Sequence, residues 1–211
     1  MTREEVDDLV RHATSRRIDR ADAARVLLAA ARDEPAGRAV PAPGAVSYWD
    51  DYASRPLTRA ELLVAAAEHL HLADDDDRAL ECLREAVADG GGVAPDARAH
   101  LADALLARPD GVAEAHALLE QLLAERSTDP LLYEFVGESL ETRRGDHEAA
   151  SRWYSAGLVL TGADPEDLDP DHESLVEGRR RSRRAQQLPP DGWDELAETF
   201  GGGLDERRTG P

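Results

Sequence analysis

Lysine and asparagine are absent from this 211-residue chain, so all 25 of its Lys-plus-Arg positions are arginine. Both missing residues have AT-rich codons, which points to a GC-rich genome. Against the 25 arginines stand 44 Asp and Glu, and the formal net charge is −19. That charge repels phosphate and argues against general nucleic-acid binding. A basic protein partner, or simple solubility, fits it better. Cysteine occurs once, at Cys82, which excludes an internal disulfide and leaves no paired-cysteine motif for zinc. Ile18 is the only isoleucine and β-branched runs are missing, so no strand-like alternation is seen. No apolar run is longer than that at Leu62–Ala67, which is far too short to span a bilayer. The N-terminus, "MTREEVDDLV", is charged and lacks the apolar core of a secretory signal. The expectation is a cytoplasmic protein with no membrane partner.

What remains is rich in Ala, Leu, Glu and Arg, which are good helix formers, so the expected class is all-α. Residues 1–34 read as a helical hairpin. Thr2 and Glu5 have capping-box spacing, and Val6, Leu9, Val10 and Ala13 follow on one face. A second helix is expected from near Asp19, with Ala23, Val26, Leu27 and Ala30 inward. Residues 35–55 form a linker marked by Pro35, Gly37, Pro41, Pro43 and Gly44, and containing the aromatic segment "SYWDDY".

Residues 56–163 repeat. Ala67, Ala102 and Gly137 are spaced by 35 and 35, as are Leu70, Leu105 and Leu140, and Ala66, Leu101 and Val136. Each set precedes a polar corner ("ADDDD", "ARPDG", "RRGDH"). Each corner leads into a second helix with an early small residue, Ala79, Ala115 or Ala150, then Leu83, Leu119 or Tyr154 four residues on. A two-helix unit of this length suggests a solenoid whose neighbours bury one another's apolar faces.

The segment "YEFVGESLETRRGDHEAASRWYSAGL" resembles a tetratricopeptide (TPR) repeat. It has the bulky Tyr133, the large-small pair Val136–Gly137, Leu140, the turn Gly145, Ala150, the aromatic Tyr154 and the closing pair Gly157–Leu158. Leu63, Ala67, Leu70, Ala79, Leu83 and Ala86 match in a first copy; Leu101, Ala102, Leu105, Ala115 and Leu119 match in a second. The units are slightly longer than the family's, and most of its aromatics are replaced by Leu or Ala. The resemblance implies a right-handed α-solenoid of three helix-turn-helix repeats with flanking helical caps. It also implies a non-catalytic adaptor or scaffold whose first helices line a concave groove.

The stretch "HLHLADDDDRALECL" holds metal-ligand residue types, but His69 and His71 are two apart and diverge by about 200° on a helix. Asp74–Asp77 fall where a helix start needs acidic caps, and no Gly turn or alternate-position ligands suit calcium. "HEAAS" and "HESLV" lack a second zinc-binding His, and no G-x-S-x-G or phosphate-binding loop occurs. The expectation is no catalytic residue, no metal and no cofactor.

Repeat register selects the candidate partner surface. Glu68, Asp103 and Glu138 recur at the repeat spacing, each just after the small core residue, and are expected to be exposed at the groove edge. Glu61 and Asp96 stand seven residues before the first two of these. Glu134 and Glu141 flank Glu138 on one helix face, and His71 is three residues beyond Glu68. This column reads either as a solvated acidic face or as a groove for a basic protein segment. Family members that clamp a terminal carboxylate use Lys and Asn there, which this chain lacks.

Residues 164–200 are expected to form an Arg-rich helix and a short amphipathic one, with 201–211 a flexible tail. The run Arg179–Arg184 is open to three readings: a solvated helix, an intramolecular contact with the acidic groove, or, as the alternative function, a nucleic-acid contact of a regulatory protein. Its lack of interleaved aromatics weakens the last. Trp193, Leu196, Ala197 and Phe200 form an apolar stripe, a candidate second contact that docks either on the chain itself or on a partner.

Overall fold

A computed structural model describes residues 1–14, 19–37 and 57–197. Their regular elements are helices, with no strand among the described residues. In chain order the helices are α1 (Arg3–Thr14), α2 (Arg20–Asp33), α3 (Arg59–His71), α4 (Asp76–Asp89), α5 (Ala97–Leu106), α6 (Val112–Ala124), α7 (Pro130–Ser139), α8 (His147–Leu160) and α9 (Pro170–Ala185). Residues 192–197 are helical as well. No helix among the described residues is long and apolar enough to cross a membrane. The chain divides into two compact units, Met1–Leu101 and Ala102–Pro211.

In the first unit, side-chain caps set where the helices begin. Thr2 and Glu5 exchange hydrogen bonds of 2.8 and 3.3 Å at the head of α1. Asp19 accepts from the Ala21 amide at 2.8 Å and starts α2. Asp75, inside the aspartate run, accepts from the Arg78 amide and starts α4. Each bond satisfies an amide that has no partner within its helix. α2 packs along α3, and α3 along α4. Val6, Leu27 and Ala31 share one core with Leu57, Leu62, Leu63 and Ala86, so segment 1–34 and the first repeat are buried together. A fully buried leucine of this kind contributes about 1.5–3 kcal/mol.

The inward face of α2 differs from the expected one. Ala23, Ala24, Leu27 and Ala31 are buried, Ala30 is half-buried, and Val26 is 41% exposed. Val26 lies one helical step, about 100°, from Leu27, and the face centres on Leu27 instead. Of the expected linker only 35–37 are described; Tyr48, Trp49 and Tyr52 lie outside the described residues, as do Phe200 and the tail 201–211.

In the second unit α7 packs on α8, and α9 packs on both. Tyr154 of α8 is fully buried, and close helix approach makes room for it. A Cβ at Gly137 on α7, or at Gly178 on α9, would stand 2.4 Å from the Tyr154 ring. Glycine at both positions lets two helix backbones close on the ring. Tyr133 packs on Trp153 with ring centroids 5.7 Å apart, and its hydroxyl donates to the Ser127 carbonyl at 2.7 Å. After α7 the chain makes a π-helical turn, Leu140–Arg144, which fits an extra residue into the turn. It ends on Gly145 at φ 63°, a left-handed conformation that glycine adopts without strain.

The repeat register carries through. Ala66, Ala67 and Leu70, then Leu101, Ala102 and Leu105, then Val136, Gly137 and Leu140 are all buried. So are Ala79, Leu83, Ala115, Leu119, Ala150 and Tyr154 from the second helices.

Candidate functional site: acidic side chains and their arginines

In the first unit, Glu61 is the third residue of α3, and its carboxylate accepts from the Thr58 amide at 2.8 Å while Thr58 Oγ1 accepts from the Glu61 amide at 3.1 Å. This capping box is buried, with the Glu61 side chain 7% exposed and Arg3 Nη2 3.4 Å away. Glu61 was expected on the groove edge; instead it closes the start of a helix. The signal was in the sequence, because Thr58-x-x-Glu61 has the same capping-box spacing as Thr2-x-x-Glu5. Asp96 is held by Arg98 at 2.8 and 3.0 Å. Burial pushes its carboxyl up, but the bonds to Arg98 outweigh this and hold it below its usual range. Glu68 is exposed, and its carboxylate has no hydrogen bond or ion pair among the described residues.

The two histidines go to separate places. His71 is exposed, with Nδ1 2.6 Å from Asp76 Oδ1. His69 is 1% exposed, with Nδ1 3.2 Å from Nη1 of Arg20. A guanidinium only donates, so Nδ1 accepts and the ring is neutral. Burial and the Arg20 charge both lower its pKa. Among the described residues no three His, Cys, Asp or Glu side chains converge as a metal would require. Cys82 is buried beside a cleft of about 190 Å³ between Arg59, Arg78 and Glu85. Burial pushes its thiol up, away from the reactive thiolate.

In the second unit, Asp103 receives two bonds from Arg143, 3.0 and 2.9 Å. Glu134 is half-buried and engaged. Glu138 is exposed, with no hydrogen bond or ion pair among the described residues. Glu141, on the π-helical turn, has a side chain only 7% exposed. Its Oε2 accepts from Arg181 Nη2 at 2.6 Å, from Arg181 Nε at 3.0 Å and from the Tyr154 hydroxyl at 3.2 Å. Ser182 donates to Oε1. Burial raises the Glu141 carboxyl, but the Arg181 and Ser182 bonds overcome it and hold the group below its usual range. Burial and the Glu141 charge push the Tyr154 phenol far up.

The Arg179–Arg184 run is committed within the chain. Arg179 is 8% exposed and bonds Ser155 Oγ at 2.9 Å and Asp191 at 2.9 and 2.6 Å. Arg183 bonds Asp194 at 2.9 Å and the Pro189 carbonyl at 2.7 Å. Asp191 and Asp194 also cap residues 192–197: Asp191 accepts from the Trp193 and Asp194 amides, and Asp194 from the Asp191 amide. The Arg179 bond pulls Asp191 down to about 2. Sequence reasoning missed both aspartates, although Asp191-x-x-Asp194 ahead of an apolar stripe is a cap signal. Trp193 and Leu196 are half-buried and Ala197 is fully buried, so the described part of that stripe faces the unit itself.

No protein-family model, curated protein or solved structure matches the chain.

Proposed function

We propose that the chain is a non-catalytic, TPR-like interaction module, a right-handed solenoid of three helix-turn-helix repeats that binds a basic protein segment. One observation supports it above the rest. The positions that follow a buried small residue at repeat spacing, Glu68 after Ala67 and Glu138 after Gly137, present exposed carboxylates that make no hydrogen bond or ion pair among the described residues. Asp103, at the corresponding place, is taken by Arg143. The pairwise packing of α3 with α4 and of α7 with α8 agrees with the repeat reading. In this reading Glu68 and Glu138 bind the partner, while Glu61, Asp96 and Asp103 organise the module. The nucleic-acid alternative has less support, because Arg179, Arg181 and Arg183 already bond to acidic side chains of the chain.

The test is capture of partners from the native host by wild type and by a Glu68→Arg/Glu138→Arg variant verified as folded by circular dichroism. A protein retained by wild type, lost by the variant and released by moderate salt is the expected result. Equal retention by both, insensitive to salt, rejects the assignment. Asp103 is left unchanged, because reversing it would break its bonds to Arg143 and confuse folding with binding.

A further inference from the structure

Glu141 is an unusual partner for a surface arginine. Its own side chain is 7% exposed, whereas that of Arg181 is 55% exposed. The carboxylate therefore lies inside the fold, and the guanidinium reaches it from the solvent side. Three features hold the carboxylate still: the π-helical turn that carries it, the Ser182 hydroxyl on Oε1, and the Tyr154 hydroxyl on Oε2 at 3.2 Å. The Tyr154 ring cannot shift readily, because Gly137 and Gly178 close on it from two helices. The Tyr154 oxygen also accepts from Arg181 Nη2 at 3.2 Å, so the guanidinium meets two acceptors in one place. His147 Nδ1 lies 3.6 Å from Oε1, buried and without a hydrogen bond, so the pocket wall has polar capacity to spare.

We propose that Glu141, Tyr154 and Ser182 form a recognition pocket for an arginine guanidinium, and that Arg181 occupies it in cis as a stand-in for an arginine of the partner. The inference rests on the reading of the chain as a module for basic segments and adds regulation to it. A partner arginine enters only by displacing Arg181, whose solvent-exposed stem can swing away without disturbing the buried part of α9 around Leu175, Val176 and Ser182. A lysine cannot replace it, since an ammonium lacks the planar fork that reaches both the carboxylate and the phenol oxygen.

The experiment titrates the full chain with two peptides, acetyl-Gly-Arg-Gly-amide and its lysine counterpart, by calorimetry at fixed ionic strength. The proteins are wild type, Arg181→Ala, Arg181→Lys and Arg181→Ala/Glu141→Gln. An internal competitor has an effective concentration in the millimolar range or above. The expected result is that Arg181→Ala binds the arginine peptide at least about tenfold more tightly than wild type. The lysine peptide should bind weakly everywhere, and the double variant should bind neither. Arg181→Lys, which keeps charge and stem, should also gain arginine-peptide affinity, and serves if the alanine variant folds poorly. Equal binding by wild type and both single variants, equal binding of the two peptides, or no binding at all overturns the proposal. The test needs no native partner. A gain of peptide binding together with a partner that ignores Glu68 and Glu138 would keep the pocket and reject the functional reading.

Discussion

Replacing Gly178 by alanine puts a methyl group where the Tyr154 ring already stands. The new Cβ would lie 2.4 Å from Cζ, 2.5 Å from Cε1 and 2.9 Å from Cε2 of a side chain with no measurable exposure. Two effects compete. Alanine is the better helix residue by about 0.8–1 kcal/mol. Overpacking a filled core costs about 1–3 kcal/mol and occasionally more. Here the contact is with a rigid ring that Gly137 confines from α7, so the cost falls at the upper end and the net change is a loss of roughly 1–2 kcal/mol. For a chain of this size that lowers the melting midpoint by about 2–8 °C. The same substitution in a Tyr154→Leu background meets no ring, so only the helix-propensity gain remains and the sign reverses, to a stabilisation of up to about 1 kcal/mol. Urea unfolding followed by circular dichroism on the four proteins of this cycle measures both numbers. A Gly178→Ala variant more stable than wild type, or the same change in both backgrounds, would refute the packing of α9 against Tyr154.

Two further outcomes follow from buried polar groups in the first unit. His69 is neutral when folded, with its pKa lowered by burial and by Arg20, so below about pH 6.5 the unfolded chain binds the proton that the folded one refuses. Its contribution is full above that pH, and stability falls with acidification by up to about 1.4 kcal/mol per pH unit until the folded histidine titrates. Urea midpoints between pH 7.5 and 5.5 should drop more steeply in wild type than in His69→Gln, and parallel slopes would remove His69 from the account. Thr58→Ala deletes a buried cap that also donates to the Gly92 carbonyl at 3.0 Å, so it should cost about 1–2 kcal/mol in the same unfolding assay, whereas Arg78→Ala on the exposed start of α4 should cost much less.

Local signals in the chain were enough to specify the helices and most of their inward faces, α2 excepted, where Val26 points outward. Capping residues such as Thr2, Asp19 and Asp75 act within one turn, and the apolar period fixes which side of a helix leaves water. The 35-residue repeat then transfers that assignment from one unit to the next, which is why Ala67, Ala102 and Gly137 are all buried. Glu61 shows the limit of register used alone. It sits seven residues before Glu68, on the same face, yet a cap reaching from Thr58 to Glu61 overrode the longer period.

Charge pairing was not readable in this way. With 44 acidic residues and 25 arginines, nothing local in the sequence distinguishes Glu141, which is occupied, from Glu138, which is not. Arg181 and Glu141 are 40 residues apart, as are Arg143 and Asp103. The first pair meets because burial of Leu175 and Val176, and the gap left by Gly178, seat α9 across α7 and α8. Ion pairs are too weak at a surface to choose that arrangement. The apolar packing chooses it, and the charges that happen to face one another are then partnered. The sequence by itself therefore determined an all-helical chain with its core positions in register, whereas only the tertiary structure decided which carboxylates are paired with an arginine and which are not.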